Sequence, residues 1–128
     1  MPVKTKFTEL KKIFKKLHSP DGCIWDKQQT YQTLVPYLKE EVEEFISSVE
    51  KMDFNHMKEE LGDILLHVMF NSELASKDGQ FNVEDVMEGL IKKMKRRHPH
   101  VFGKARVRSV DQIVANWNKI KALEKSGK

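Results

Sequence analysis

With 128 residues and a formal net charge of +4, the chain has the length of one domain able to bury a core, and only a mild basic excess. It contains no apolar run long enough to cross a bilayer, and Met1–Lys12 carries lysines without the hydrophobic region a signal peptide needs. Its one cysteine, Cys23, excludes an intrachain disulfide and a Cys-rich zinc site, which points to a reducing cytoplasm.

Periodicity is helical almost throughout, and no alternating strand segment is convincing. Phe7, Leu10, Phe14 and Leu17 mark a first helix, broken by Ser19–Pro20–Asp21–Gly22. Trp25 and Asp26 follow in a polar loop. A second helix is expected over Thr33–Glu50, capped at Thr33 with Pro36 in its first turn. Leu34, Leu38, Val42, Phe45 and Val49 form its apolar arc. Glu41 falls inside that arc, Glu44 on its border, Glu40 further out and Glu43 on the solvent side. A carboxylate facing a core is costly unless paired, so Glu41 is expected to have a cationic partner or a metal.

The next helix, Asn55 to about Ser76, is apolar nearly all round and is expected to be buried. One polar stripe interrupts it: Glu60, Asp63, His67 and Asn71. Glu41 with Glu44, and Glu60 with Asp63, are spaced i, i+3, which sets each pair of carboxylates on one helix face roughly 5–6 Å apart at Cβ. Such oxygen pairs suit Mg²⁺, which takes a few carboxylates and completes its shell with water and substrate phosphate. His67 reads as a hydrogen-bonded core histidine, because Mg²⁺ prefers oxygen. Gly62 reads as a point of close approach by another backbone or a ligand.

Asn82 opens a further amphipathic helix carrying Val83, Val86, Met87, Leu90, Ile91 and Met94. In its basic run, Lys92, Lys95 and Arg96 read as solvated, whereas Lys93 and Arg97 lie along the edge of the apolar stripe and face a phosphate. Ser109 with Gln112 forms a capping box for the last helix, where Lys121 falls between Val114 and Trp117. The expected fold is all-α, a helical bundle of about five helices completed by dimerisation. It is read as one domain over 1–128, with its core at about 7–121.

Five separated motifs resemble one family. They are Cys23–Ile24–Trp25–Asp26–Lys27–Gln28–Gln29–Thr30, Pro36–Tyr37–Leu38–Lys39–Glu40–Glu41, Glu59–Glu60–Leu61–Gly62–Asp63, Arg96–Arg97–His98–Pro99–His100–Val101–Phe102–Gly103 and Trp117–Asn118–Lys119–Ile120–Lys121. In this order and spacing the chain resembles the MazG-like nucleoside triphosphate pyrophosphohydrolases of the all-α NTP pyrophosphatase superfamily.

The resemblance implies Mg²⁺-dependent cleavage between the α and β phosphates, giving a nucleoside monophosphate and pyrophosphate, with Mn²⁺ as a substitute. It implies metal ligation by Glu41, Glu44, Glu60 and Asp63, with Glu40 adjacent. It places phosphate-side roles on Lys93, Arg97, Trp117 and Lys121, and pairing of chains as a homodimer or larger homo-oligomer. Glu41 or Glu44 would take the proton from the attacking water, and Lys93, Arg97 and Lys121 would stabilise the pyrophosphate. Trp25, beside Asp26, either stacks on the base or packs as a lid on the core. Trp117 reads more as core than as contact. Ile24, His56 and Asn118 depart from the family pattern without removing a metal ligand. No membrane role is expected. A nucleic-acid-binding or catalytically inactive regulatory helical module is the alternative; the former leaves the inward acids without purpose. A di-iron bundle fits poorly, because Asp53 and Ile64 stand three residues before His56 and His67.

Overall fold

Seven helices follow one another in a computed structural model that describes residues 5–127, and no strand occurs among the described residues. They are α1 Lys6–Leu17, α2 Ile24–Gln28, α3 Tyr31–Glu50, α4 Phe54–Lys77, α5 Val83–Arg97, α6 Pro99–Phe102 and α7 Val110–Ser126. Five are the long helices expected from periodicity. Of the two short ones, α2 takes up Trp25 and Asp26, which the sequence places in a polar loop, and α6 follows α5 directly. The described residues divide after Val83 into two compact units.

In the first unit α3 and α4 form the main helix pair, and α1 packs on α4. Thr30, not Thr33, caps α3: its hydroxyl accepts from the Thr33 backbone N–H at 3.1 Å, while the Thr33 hydroxyl accepts from the Thr30 N–H at 2.9 Å. The helix therefore starts earlier than expected, and Pro36 lies in its second turn, where it removes one helical hydrogen bond. Asp53 caps α4 through the His56 N–H at 3.2 Å.

Both helices end in the same hydrogen-bond pattern. At the end of α3, Asp53 N–H reaches Ser48 O at 3.0 Å and Met52 N–H reaches Val49 O at 3.0 Å; at the end of α4, Gln80 N–H reaches Ala75 O at 2.9 Å and Gly79 N–H reaches Ser76 O at 3.1 Å. Each is a Schellman turn, with Met52 (φ 51°) and Gly79 (φ 71°) at its left-handed position.

The core consists of Phe14, Leu34, Met69, Phe70 and Val83, with Phe7, Leu10, Leu17 and Leu74 packed around it. Each such side chain contributes about 1.5–3 kcal/mol by leaving water. The Phe14 and Phe70 rings meet edge to face at 6.3 Å. Lys77 donates its ammonium to the His18 carbonyl, tying the end of α4 to the end of α1. A Cβ on Gly22 would stand 2.0 Å from the Leu17 carbonyl oxygen, so only glycine lets the chain fold back across the end of α1 into α2.

Within the single chain α4 is covered only in part. Met69, Phe70 and Ala75 are buried, yet Leu61, Leu65, Leu66 and Val68 are exposed. Among the described residues no backbone of this chain approaches Gly62, since an added Cβ there meets nothing within 4 Å.

The second unit holds α5, α6 and α7. Arg96 and Arg97 from α5 both bond Glu124 on α7, Arg97 at 2.9 Å. Arg96 is exposed, as expected of a solvated cation, and it also pairs with Glu124. Ser109 caps α7 through the Gln112 N–H at 3.2 Å, but the Gln112 side chain accepts from the Arg108 N–H at 2.7 Å, one residue before the reciprocal contact of a capping box.

Candidate functional site

The period of α3 turns Glu41 toward α4, and the period of α4 turns Glu60 and Asp63 toward α3. Their carboxylate oxygens lie within 4.8 Å of one another. Glu60 is buried and the other two are half-buried. One buried oxygen of Glu41 and one of Glu60 have no hydrogen-bond partner. The cationic partner expected for Glu41 is not what the fold supplies. Instead, a side-chain hydrogen bond to Glu60, then burial, then the charges of Asp63, Glu60 and Glu44 push the Glu41 carboxyl up to about 8. Glu44, exposed, is also raised, first by the charge of Glu60 and then by burial and a hydrogen bond to Glu60.

Three converging carboxylates, two of them with an unpartnered buried oxygen, form a hard, all-oxygen donor set, which fits Mg²⁺ or Mn²⁺. Glu40 and Glu44 stand on the exposed side of α3, outside this group of three. His67 is buried as expected, yet its Nδ1 has no hydrogen-bond partner, so it is not the satisfied core histidine anticipated. Burial holds the imidazole below its ordinary pKa, against the opposing charge of Asp63. The nearby Asn71 side chain bonds the His67 carbonyl at 2.8 Å, continuing the polar stripe without reaching the ring.

Beside the acids lies a cavity of about 250 Å³. Its walls are mostly apolar: Phe14, Leu17, Leu34, Leu66 and Phe70, with Trp25 and Tyr37 at one side and Asp26, Glu41, Asp63 and His67 as the polar lining. Trp25 belongs to α2 rather than to a loop, and its ring meets Tyr37 at 5.9 Å and Phe70 at 6.5 Å, both edge to face. The two readings of Trp25 therefore merge: it packs on the core while lining a space open to a planar ligand. Neither His67 nor the aromatic cavity was singled out from sequence as part of the site. The i, i+4 step from Asp63 to His67 was the available signal.

The expected phosphate cations belong to the second unit. Lys93 and Lys121 are exposed. Arg97 is half-buried, paired with Glu124 and stacked over the Trp117 ring at 5.3 Å. Trp117 also meets His98 edge to face at 5.0 Å, so it anchors this unit while remaining half-buried.

The MazG nucleotide pyrophosphohydrolase domain matches residues 29–102, a span that contains the whole acid cluster. The chain belongs to the MazG family. A nucleoside triphosphate pyrophosphohydrolase/pyrophosphatase MazG from Thermotoga maritima is 48% identical over 122 residues, which cover 95% of this chain and 46% of that protein. A nucleoside triphosphate pyrophosphohydrolase from Escherichia coli K12 is 37% identical over 117 residues, 91% of this chain and 44% of that protein. An uncharacterised protein, YabN, from Bacillus subtilis is 41% identical over 121 residues, 94% of this chain and 25% of that protein. This MazG chain thus spans less than half the length of these curated relatives. The crystal structure of a mazG-related protein from Thermotoga maritima shares its fold, with a TM-score of 0.72 at 25% identity, covering 89% of this chain and 97% of that one. The all-α fold and the family membership agree with the sequence reading.

Proposed function

We propose that this MazG domain hydrolyses nucleoside triphosphates between the α and β phosphates, yielding a nucleoside monophosphate and pyrophosphate. The observation that carries the reading is the acid cluster opening onto an aromatic cavity: a place for a metal-bound phosphate chain beside a place for a base. Glu41, Glu60 and Asp63 would hold Mg²⁺, with Glu44 and Glu40 adjacent and Mn²⁺ able to substitute. When bound, the cation supplies neutralisation of phosphate charge and a lower barrier to deprotonating water.

The chain's own residues do the rest. Trp25, Tyr37 and Phe70 receive the base, with Asp26 at the cavity edge. Water attacks the α phosphorus, the bond from that phosphorus to the bridging oxygen breaks, and pyrophosphate leaves. Glu41 or Glu44 receives the water proton as the general base. Lys93, Arg97 and Lys121 meet the charge that grows on the leaving group. The enzyme acts as a homodimer in the nucleotide pool of a reducing cytoplasm, without nucleic acid as a partner.

Turnover of a panel of canonical and modified triphosphates in ¹⁸O-water tests this reading. The label is expected in the monophosphate and absent from pyrophosphate. Release of orthophosphate and diphosphate, or label in pyrophosphate, would overturn it.

A further inference from the structure

Arg97 is held from two directions within the second unit. Its guanidinium lies over the Trp117 ring at 5.3 Å, and its Nη2 donates to one carboxylate oxygen of Glu124 at 2.9 Å. The other oxygen of Glu124 accepts from Arg96 Nε. Trp117 is in turn fixed by the His98 ring, edge to face at 5.0 Å, and the Met94 carbonyl holds His98 Nδ1 at 2.7 Å. Spacing along α7 builds this hold. Trp117, Lys121 and Glu124 stand at i, i+4 and i+7, so they share one helix face, with Lys121 between the two residues that grip Arg97.

Two features go beyond what an ordinary ion pair needs. Glu124 takes only Nη2 of Arg97, and the buried Nε of that side chain has no partner, so the guanidinium is left under-satisfied. The group is also not neutral: one carboxylate answers two arginines, which leaves a positive charge over. Hydrogen bonds from Arg97 and then Arg96 lower the Glu124 carboxyl to about 2, so it stays ionised at neutral pH. A long, flexible arginine pinned by a ring and by a carboxylate at one corner, yet still net positive, is prepared for an oxyanion.

We propose that Glu124 is a positioning residue that sets the plane of the Arg97 guanidinium for the leaving pyrophosphate before the substrate arrives. The inference rests on the triphosphate reading above, in which Arg97 meets the charge that grows on the leaving group. It adds a residue that acts only through Arg97. Fixing the donor beforehand removes the reorganisation a free arginine would undergo as the bond breaks, so the benefit falls on the chemical step more than on binding. Arg96 is the counterweight: by sharing the carboxylate it keeps Arg97 from being neutralised.

Steady-state kinetics of the purified chain, with whichever triphosphate of the panel turns over fastest, tests the role. Glu124→Ala should lower kcat about 10-fold and change KM less than about two-fold. Glu124→Gln, whose amide oxygen still accepts from Nη2, should recover part of the loss. In an Arg97→Ala background Glu124→Ala should cost nothing further, because the residue has lost what it positions. Nitrogen-15 spectra of the free chain give a readout without turnover: hindered rotation should resolve the Arg97 Nη protons in the wild type, and Glu124→Ala should average them. Glu124 is half-buried, so circular dichroism accompanies each variant, and should Glu124→Ala unfold, the milder Glu124→Gln carries both readouts. A Glu124→Ala kcat within about two-fold of wild type, losses that add in the double variant, or wild-type turnover by Arg97→Ala would each overturn the positioning role. Product analysis separates the two failures: monophosphate and pyrophosphate formed at an undiminished rate in Glu124→Ala sinks only the positioning, whereas diphosphate and orthophosphate sink the reaction itself.

Discussion

Glu41 and Glu124 are carboxylates displaced in opposite directions, and their effects on stability carry opposite signs. Glu41 is raised from 4.5 to about 8, so its stabilising protonated form is complete below 4.5 and is lost as pH climbs to about 8. Glu124 is lowered to about 2, first by its hydrogen bond to Arg97 and then by that to Arg96. Its contribution is present above the ordinary carboxylate range and is lost as pH falls toward about 2. In chelator, the urea midpoint should therefore decline from pH 4.5 to about 8, and Glu41→Gln should flatten that decline. A midpoint that rises over this interval would contradict the assignment. Glu41→Gln, Glu60→Gln and Asp63→Asn should each cut turnover at least ~100-fold while the chain stays folded, whereas Glu43→Gln should change little. Near wild-type rates in any two of the three would sink the metal assignment. The inward direction of these acids was legible because helical period alone sets it. The partners of the cations were not, because a period says which way a side chain points and nothing about what the neighbouring helix presents there. The two acidic pairs meet as the metal reading expects, but Arg97, expected to face a phosphate, met Glu124, a residue 27 positions away.

At the scale of elements, two turns decide where the site residues stand. Gly22 admits the tight return from α1 that sets Trp25 against Tyr37 and Phe70. Gly22→Ala drives a Cβ into the Leu17 backbone, where no flexible side chain can yield. A loss of about 1–3 kcal/mol in denaturant unfolding is expected, along with a changed Trp25 fluorescence. Met52 holds a left-handed conformation that the equivalent turn after α4 gives to Gly79. Met52 is exposed, so Met52→Gly relieves backbone strain at little cost in packing and should gain about 0.5–1 kcal/mol, read from the urea midpoint. A loss of stability there would show that the side chain is needed. The glycine break after α1 was legible, since Pro, Asp and Gly cluster there. The start of α3 was not: Thr30 and Thr33 cap reciprocally, and a sequence offers both as caps. The short helix α2 also escaped, because five residues are too few for a period to show.

For the whole molecule the unfinished element is the α3–α4 pair. Val42, Ile46 and Val49 repeat at i, i+4 and i+7 along α3 and are 39%, 50% and 38% exposed. Leu61, Leu65 and Val68 repeat in the same way along α4 at 52%, 46% and 39%. Each triplet forms one apolar helix face, and burying such a face stabilises association by about 25 cal/mol per Å². Apolar residues scattered singly need no explanation, but two aligned faces flanking the acid cluster do. A second copy of the chain can cover them by the self-complementary contact that two-fold dimers use. Sedimentation at low micromolar concentration is expected to show a dimer. Ile46→Glu and Leu65→Glu each set a carboxylate into the buried contact and should shift the chain toward monomer, with a lower melting temperature. Ile46 and Leu65 are 50% and 46% exposed in the single chain, so circular dichroism of each variant tells a failure to dimerise from a failure to fold. A wild-type chain that sediments as a stable, active monomer would show that something other than a second copy covers these faces.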